Sequence, residues 1–135
     1  NEEFNTKLNT YSKCIEYRKN VNDVSKRLRS LVLNLKKKGK KIAGYGAAAK
    51  GMTILKCSNI GNKLKYFVDD SPAKQGLYSP VDHVPIISRK DAQKKLPDYF
   101  IILAPNYSEI IIKKEKKFTQ NGGKFIVLTK DIKVV

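Results

Sequence analysis

The chain has 135 residues and a formal net charge of +16, with 28 lysines and arginines against 12 aspartates and glutamates. Hydrophobic residues make up 41% of the sequence, so it can bury the core of one domain and lacks the composition of a disordered chain. No apolar run reaches the roughly 18 to 20 residues that cross a bilayer, and we therefore expect no membrane partner.

The excess of positive charge raises the question of a nucleic-acid surface, because lysine and arginine neutralise phosphates. Only four of the 28 basic residues are arginines, which are the usual readers of base edges and the usual bidentate phosphate ligands. We interpret the lysines as a solvated, generally anion-attracting surface. A basic nucleic-acid-binding module remains the less favoured alternative.

The two cysteines, Cys14 and Cys57, are far apart and match no metal-binding or redox spacing. We expect both to be buried thiols, and unpaired thiols favour a reducing cytoplasm. The sequence begins with Asn1, which fits a piece excised from a longer protein.

Residues 1–38 are predicted to form an N-terminal helical segment. This stretch has no glycine or proline, and its apolar residues recur mostly at intervals of three or four, which is typical of a helix with one buried face. We expect a break near residues 20–23 and an end at Gly39. The apolar stripe consists of Phe4, Leu8, Tyr11, Ile15, Val21, Val24, Leu28, Leu31 and Leu35.

Residues 39–135 are predicted to form a small Rossmann-like α/β domain with a doubly wound parallel sheet. Short, nearly continuous apolar runs alternate with helical patterns, as expected for parallel strands covered on both faces. The predicted strands cover residues 41–44, 64–68, 84–87, 99–103 and 125–128. The predicted helices cover residues 47–57, 88–95 and 108–119, with Ser88 as a cap.

The stretch IAGYGAAAKGMT lies between the first predicted strand and its helix. Gly44, Gly46 and Ala49 match the pattern G-x-G-x-x-A, in which glycines permit a tight turn and close approach of a phosphate. A helix that begins near Ala47 presents free backbone N–H groups to an anion. Because the lysine of this stretch precedes Gly51, it is not the phosphate loop of an NTPase.

Two further positions fall at the same edge of the predicted sheet. Asp69 ends the second strand, where it can accept hydrogen bonds from a ribose or form an ordinary turn. Asn106 follows the strand expected beside the first one, where it can face the glycine stretch or cap the next helix. His83 is the single histidine, and we find no catalytic constellation. The acid at Asp69 supports an NAD(P)-binding oxidoreductase domain as an alternative function.

The segments IAGYGAAAKGMT, FVDDSPAKQGLYSP, HVPI and LAPNYSEII resemble the C-terminal domain of the S-adenosylmethionine-dependent sugar C-methyltransferases. The resemblance implies a domain that binds a nucleotide-linked deoxysugar but is not catalytic by itself. It also implies an N-terminal methyltransferase domain, in the same chain or a separate one. S-adenosylmethionine and zinc are then expected only in those missing parts.

The same resemblance implies a set of substrate-binding residues in three of these segments. They are Gly44, Tyr45, Gly46, Ala47, Ala48, Ala49, Lys50 and Gly51 in the first, Asp69, Lys74, Gln75 and Gly76 in the second, and Asn106 in the last. No catalytic or metal-binding residue is expected among them.

Overall fold

The computed structural model describes residues 22–46, 49–79, 82–128 and 132–135. Helix α1 covers residues 22–37, and the elements after it alternate between strands and helices. They are β1 (Ile42–Tyr45), α2 (Ala49–Ser58), β2 (Phe67–Val68), β3 (Ile86–Ile87), α3 (Arg89–Ala92), β4 (Tyr99–Ile102), α4 (Ser108–Lys114), α5 (Lys116–Gln120), β5 (Lys124–Leu128) and β6 (Ile132–Val134).

Within the described residues the strands form one sheet of six in the order β3-β2-β1-β4-β5-β6. Five strands are parallel, and β6 pairs antiparallel with β5. Strand β1 lies between β2 and β4, so the strand order reverses beside it. The predicted α/β class, with a mostly parallel sheet preceded by a helix, is confirmed.

One face of the sheet packs against α1 and α2. Ile42, Ile101 and Ile126 lie on three adjacent strands and share a buried cluster with Leu28 of α1 and Leu55 of α2. Alternate residues of a strand point to opposite faces, which explains why residues two apart along each strand join the same cluster. The stripe predicted for the first helical segment is confirmed in the part of α1 that the structure describes.

The opposite face packs against α3, α4 and α5 and is rich in aromatic rings. The ring of Phe100 lies 4.9 Å from that of Phe118 and 6.0 Å from that of Phe125, measured between centroids. All three rings are buried. Burying a phenylalanine side chain contributes about 1.5–3 kcal/mol, so this cluster holds α5 firmly on the sheet.

The structure corrects the bounds of two predicted strands. Strands β2 and β3 have two residues each, fewer than predicted. The backbone pairing extends further than these strands, since Lys65 N donates to Ile42 O (3.0 Å) and Phe67 N donates to Pro85 O (2.9 Å). The register Gly44↔Phe67 places Lys65 opposite Ile42, so residues 65 and 66 still lie along β1 although they are outside the regular strand.

The predicted helix 108–119 is two helices, α4 and α5, separated at Glu115 with φ −101° and ψ 34°. Strand β6 was not predicted.

The expected burial of Cys57 is also wrong, because this thiol is exposed. It follows the buried Leu55 by two positions, which is about 200° around a helix and therefore on the outer side of α2.

Two expectations fall wholly or partly outside the described residues. Cys14 lies outside the described residues, and so does part of the break expected near residues 20–23. The division of the chain into two domains at residues 38 and 39 stays a prediction. Helix α1 packs in the same apolar cluster as the sheet. No helix in the described ranges is long and apolar enough to cross a membrane.

Candidate functional site

A cavity of about 380 Å³ opens at the carboxyl ends of β1, β2 and β4. Tyr45 and Gly46 line it from the end of β1, Asp69 from the end of β2, and Ala104 from the residues after β4. Parallel strands place their carboxyl ends at one edge, and the reversal of strand order beside β1 opens a crevice there. The cavity lies where the sequence predicted a ligand.

The two glycines at the end of β1 serve different structural purposes. Gly46 has φ +83°, a conformation that favours glycine, and its N–H donates to Val68 O at 2.6 Å. Gly44 lies inside β1, where an added Cβ would clash with Phe67 Cδ1 and come within 2.6 Å of Phe67 Cε1. Gly46 therefore forms the turn beside the cavity, and Gly44 permits close packing beneath it.

The rest of the glycine stretch leads into α2. Ala47 and Ala48 lie outside the described residues, and Ala49, Lys50 and Gly51 form the first turn of the helix. The helix therefore begins near Gly46. Its first backbone N–H groups have no partner within the helix itself, which makes this end suited to an anion.

The segment after β2 is braced by hydrogen bonds. Asp69 Oδ1 accepts from Ser71 N at 2.8 Å, and Lys74 Nζ lies 3.8 Å from Asp69 Oδ2. Gln75 Nε2 donates to Asp69 O at 2.9 Å, and Gly76 adopts φ +85° in the turn that follows. The turn interpretation of Asp69 is confirmed, while Asp69 and Lys74 also line the cavity. Gln75 and Gly76 shape the loop instead.

Asn106 lies in a short 3₁₀ turn, Pro105–Tyr107, between β4 and α4. Its side chain is exposed, and the N-cap position of α4 is Tyr107 rather than Asn106. Tyr107 and Ile110 line the cavity from this side. A ligand contact of Asn106 stays a prediction.

The charges around the cavity are paired. Lys114 Nζ lies 2.6 Å from Asp70 Oδ2, and Lys74 faces Asp69. The lysine side chains are 46% exposed at Lys74 and 35% exposed at Lys114, and the Lys114–Asp70 pair, whose carboxylate is 60% exposed, costs little to separate. Such lysines can turn toward an anionic ligand, and the carboxylates can then accept hydrogen bonds from its hydroxyl groups.

One buried network at this site was missed by the sequence. Tyr45 Oη donates to Glu115 Oε1 at 3.0 Å, and Arg89 Nε donates to the same oxygen. Burial, and then the negative charge of Glu115, raise the pKa of Tyr45 well above its ordinary value. Glu115 stands among four lysines in KKEKK, a pattern typical of a solvated helix. The one feature of the local sequence that could have indicated this network is a single acid within a run of lysines.

Among the described residues, those that line the cavity include carboxylates, lysines and tyrosines but no histidine. His83, with φ +49°, is exposed and does not line it. Of the residues that the structure describes, no three histidines, cysteines or acids come together as metal ligands. The observed arrangement is suited to holding a ligand with phosphate and hydroxyl groups.

A sequence profile described as the C-methyltransferase C-terminal domain matches residues 1–129. The chain belongs to this family. C-methyltransferase NovU of Streptomyces niveus is similar to this C-methyltransferase C-terminal domain, with 38% identity over 113 residues that cover 83% of the chain. The chain covers 27% of that relative's length. The resemblance drawn from the motifs is confirmed.

Proposed function

We propose that this C-methyltransferase C-terminal domain holds a nucleotide-linked deoxysugar while a separate methyltransferase domain transfers the methyl group. The observation that carries the proposal is the cavity formed by the Gly46 turn, the acid and lysine after β2, and Lys114 of α4. Family membership and the name of the Streptomyces relative support the reaction class.

The diphosphate of the ligand is assigned to the turn at Gly46 and the start of α2. Glycine leaves room for a phosphate to approach the backbone, and a helix N-terminus offers N–H donors with a favourable dipole. An added Cβ at Gly46 would lie 3.5 Å from Ala104 Cβ, so a side chain there would occupy the space between the two walls.

The sugar hydroxyls are assigned to the carboxylates of Asp69 and Asp70. The Asp69 side chain is 13% exposed, which places its oxygens at the cavity wall rather than in bulk solvent. When Lys74 and Lys114 turn toward the diphosphate, both carboxylates regain acceptor capacity. The ligand thereby replaces the two ion pairs with charge-assisted hydrogen bonds.

The chemistry is assigned to parts outside this chain. An N-terminal methyltransferase domain, in the same chain or a separate one, would supply the catalytic base and S-adenosylmethionine, and a further segment would bind zinc. The chain alone is expected to bind the sugar without turnover, and the expected place of action is the cytoplasm.

A dinucleotide is the second candidate ligand, because Asp69 ends β2 at the position where an acid accepts ribose hydroxyls in dinucleotide-binding folds. An NAD(P)-binding oxidoreductase domain would use the same cavity. The nucleic-acid alternative is supported by net charge alone.

Thermal unfolding with added ligands tests the proposal. Thymidine or uridine diphosphate sugars should raise the melting temperature more than NAD or S-adenosylmethionine, because a ligand that binds only the folded state stabilises it by about 2.7 kcal/mol at a hundredfold excess over its Kd. Lys74→Gln should weaken this effect, whereas Lys56→Gln, an exposed lysine at the far end of α2, should not. Equal or greater stabilisation by NAD would overturn the proposal.

A further inference from the structure

We propose that Glu115 and Arg89 are positioning residues, which hold the Tyr45 ring and the adjoining Gly46 turn in the geometry that the ligand needs. The inference rests on the proposed nucleotide-sugar site. Neither residue was singled out by the motifs, and both act on the cavity through Tyr45.

The backbone of Tyr45 is bound on both sides by neighbouring strands. Its carbonyl accepts from Leu103 N at 2.9 Å, and the next residue, Gly46, donates its N–H to Val68 O at 2.6 Å. The ring meets that of Phe100 edge-on, with centroids 5.4 Å apart. The hydroxyl is the remaining anchor of the side chain, and Glu115 provides it. Tyr45 therefore connects the cavity wall to the junction of α4 and α5.

Glu115 is 4% exposed, although its sequence neighbours are all lysines. Burying a carboxylate is unfavourable unless a charge and hydrogen-bond donors compensate it, and apolar residues at such sites are often equally stabilising. The helical run from Ser108 also breaks at Glu115. Arg89 and Tyr45 compensate the Glu115 carboxylate, and the Tyr45 contact connects it to the cavity.

Arg89 fixes Glu115 from a third element. It begins α3 directly after Ser88, whose Oγ accepts from Asp91 N at 3.1 Å. Its Nε donates to Glu115, and Nη2 donates to the carbonyl of Lys114 at 3.1 Å. The planar guanidinium thus binds the carboxylate and the end of α4 together, which a lysine cannot do with the same geometry.

The decisive comparison uses two tyrosines that are similarly buried and that both donate a hydrogen bond from the hydroxyl. Tyr45 and Tyr66 are 5% and 2% exposed, and Tyr66 donates its hydroxyl to Lys95 O at 2.6 Å. Tyr66 precedes β2 and does not line the cavity. Tyr66→Phe therefore removes a buried hydrogen bond without touching the site, and it is the matched control for Tyr45→Phe.

Titration calorimetry with a thymidine or uridine diphosphate sugar gives the first readout. Tyr45→Phe should bind roughly tenfold more weakly, the loss expected when a hydrogen bond to a charged group is broken. Glu115→Gln should lose less affinity, because its amide oxygen can still accept from Tyr45 and Arg89 but carries no charge. Arg89→Lys should fall between these variants and the wild type. Tyr66→Phe should keep the wild-type affinity, although its melting temperature should fall by about as much as that of Tyr45→Phe.

Amide hydrogen exchange at Gly46 and Leu103 gives a second readout that needs no ligand. These two N–H groups flank Tyr45, so their exchange should speed up in Tyr45→Phe and Glu115→Gln beyond the change in global stability. In Tyr66→Phe, the exchange rates of both N–H groups should change only by the amount that the change in global stability explains.

The two readouts separate failure of the inference from failure of the proposed function. If the wild type binds no nucleotide sugar, the proposed function is wrong, and the exchange rates alone decide the positioning role. Unchanged exchange at Gly46 and Leu103 overturns the inference, as does an equal loss of affinity in Tyr66→Phe. If Glu115→Gln does not fold, Tyr45→Phe carries the test because it removes a single hydroxyl.

Discussion

Lys114 Nζ lies 2.6 Å from Asp70 Oδ2, and this ion pair joins α4 to the segment after β2 across the cavity. The two side chains are 35% and 60% exposed, so solvent screens the pair and its contribution to stability is small. Its importance lies in its position, because it places a cation where an anionic ligand would enter.

Lys114→Gln should reduce binding several-fold with little effect on folding. We expect the free energy of unfolding to change by less than about 1 kcal/mol, as for exposed ion pairs in general. Calorimetric titration with a nucleotide sugar, together with urea unfolding, measures both quantities. Lys113→Gln is the control, since it removes the same charge one residue earlier on α4. An equal loss of affinity in both variants would indicate general attraction to a basic surface.

Gly46→Ala should lower both stability and affinity, whereas Gly39→Ala should lower stability alone. Both glycines have positive φ, +83° and +76°, and an alanine in that region costs about 1–2 kcal/mol. Only Gly46 lines the cavity. Urea unfolding of both variants and calorimetry on the folded fraction test this expectation. Retained affinity in Gly46→Ala would remove the turn from the binding site.

Gly44→Ala should destabilise the domain by about 1–3 kcal/mol, the usual cost of overpacking a core. The added Cβ would clash with the Phe67 ring and lie 3.2 Å from Leu103 Cδ1. Phe67→Leu makes room at this contact, so the double variant should be more stable than the sum of the two single changes predicts. Strictly additive changes in the free energy of unfolding would contradict this packing role.

Alkaline pH should destabilise the fold through Tyr66. Burial raises the pKa of Tyr66 from 10.0 to about 12 because the phenolate is the charged form. Above pH 10.0 the unfolded chain releases a proton that the folded protein retains, so this contribution is lost as pH rises to about 12.

Urea unfolding across that range measures the effect, with Tyr66→Phe compared with the wild type. The stability difference between the two proteins should shrink as pH rises, because only the wild type carries the buried Tyr66 phenol. A stability difference that stays constant with pH would show that the Tyr66 phenol titrates alike in both states.

The central strands could be predicted from sequence to within one residue. Strands β1, β4 and β5 are continuous apolar runs, a local pattern that depends little on the rest of the fold. The cap of α3 is equally local, since Ser88 binds a backbone N–H three residues ahead. The cavity lies where it does because β1 and β4 are adjacent in the sheet. This adjacency was predicted from the alternation of strands and helices along the chain.

The role of Glu115 could not be predicted, because its contacts lie far along the chain. Its partners Tyr45 and Arg89 are 70 and 26 residues away, and no local pattern marks a lysine-rich helix as buried. Lys114 was missed at the cavity for the same reason, since its partner Asp70 is 44 residues away. Strand β6 has three residues, and only its pairing with β5 defines it.

The unequal strand lengths make the two walls of the cavity mechanically different. Strands β1 and β4 have four residues each, whereas β2 and β3 have two. The regular ladder between β1 and β4 has four residue pairs, whereas the ladders that join β2 to β1 and to β3 have two each. We therefore expect the wall with Asp69 and Lys74 to open locally at a lower free-energy cost than the wall with Tyr45 and Ala104. A ligand that contacts both walls would therefore stabilise β2 and β3 against local opening. We expect most of its protection against amide hydrogen exchange to fall on these two strands.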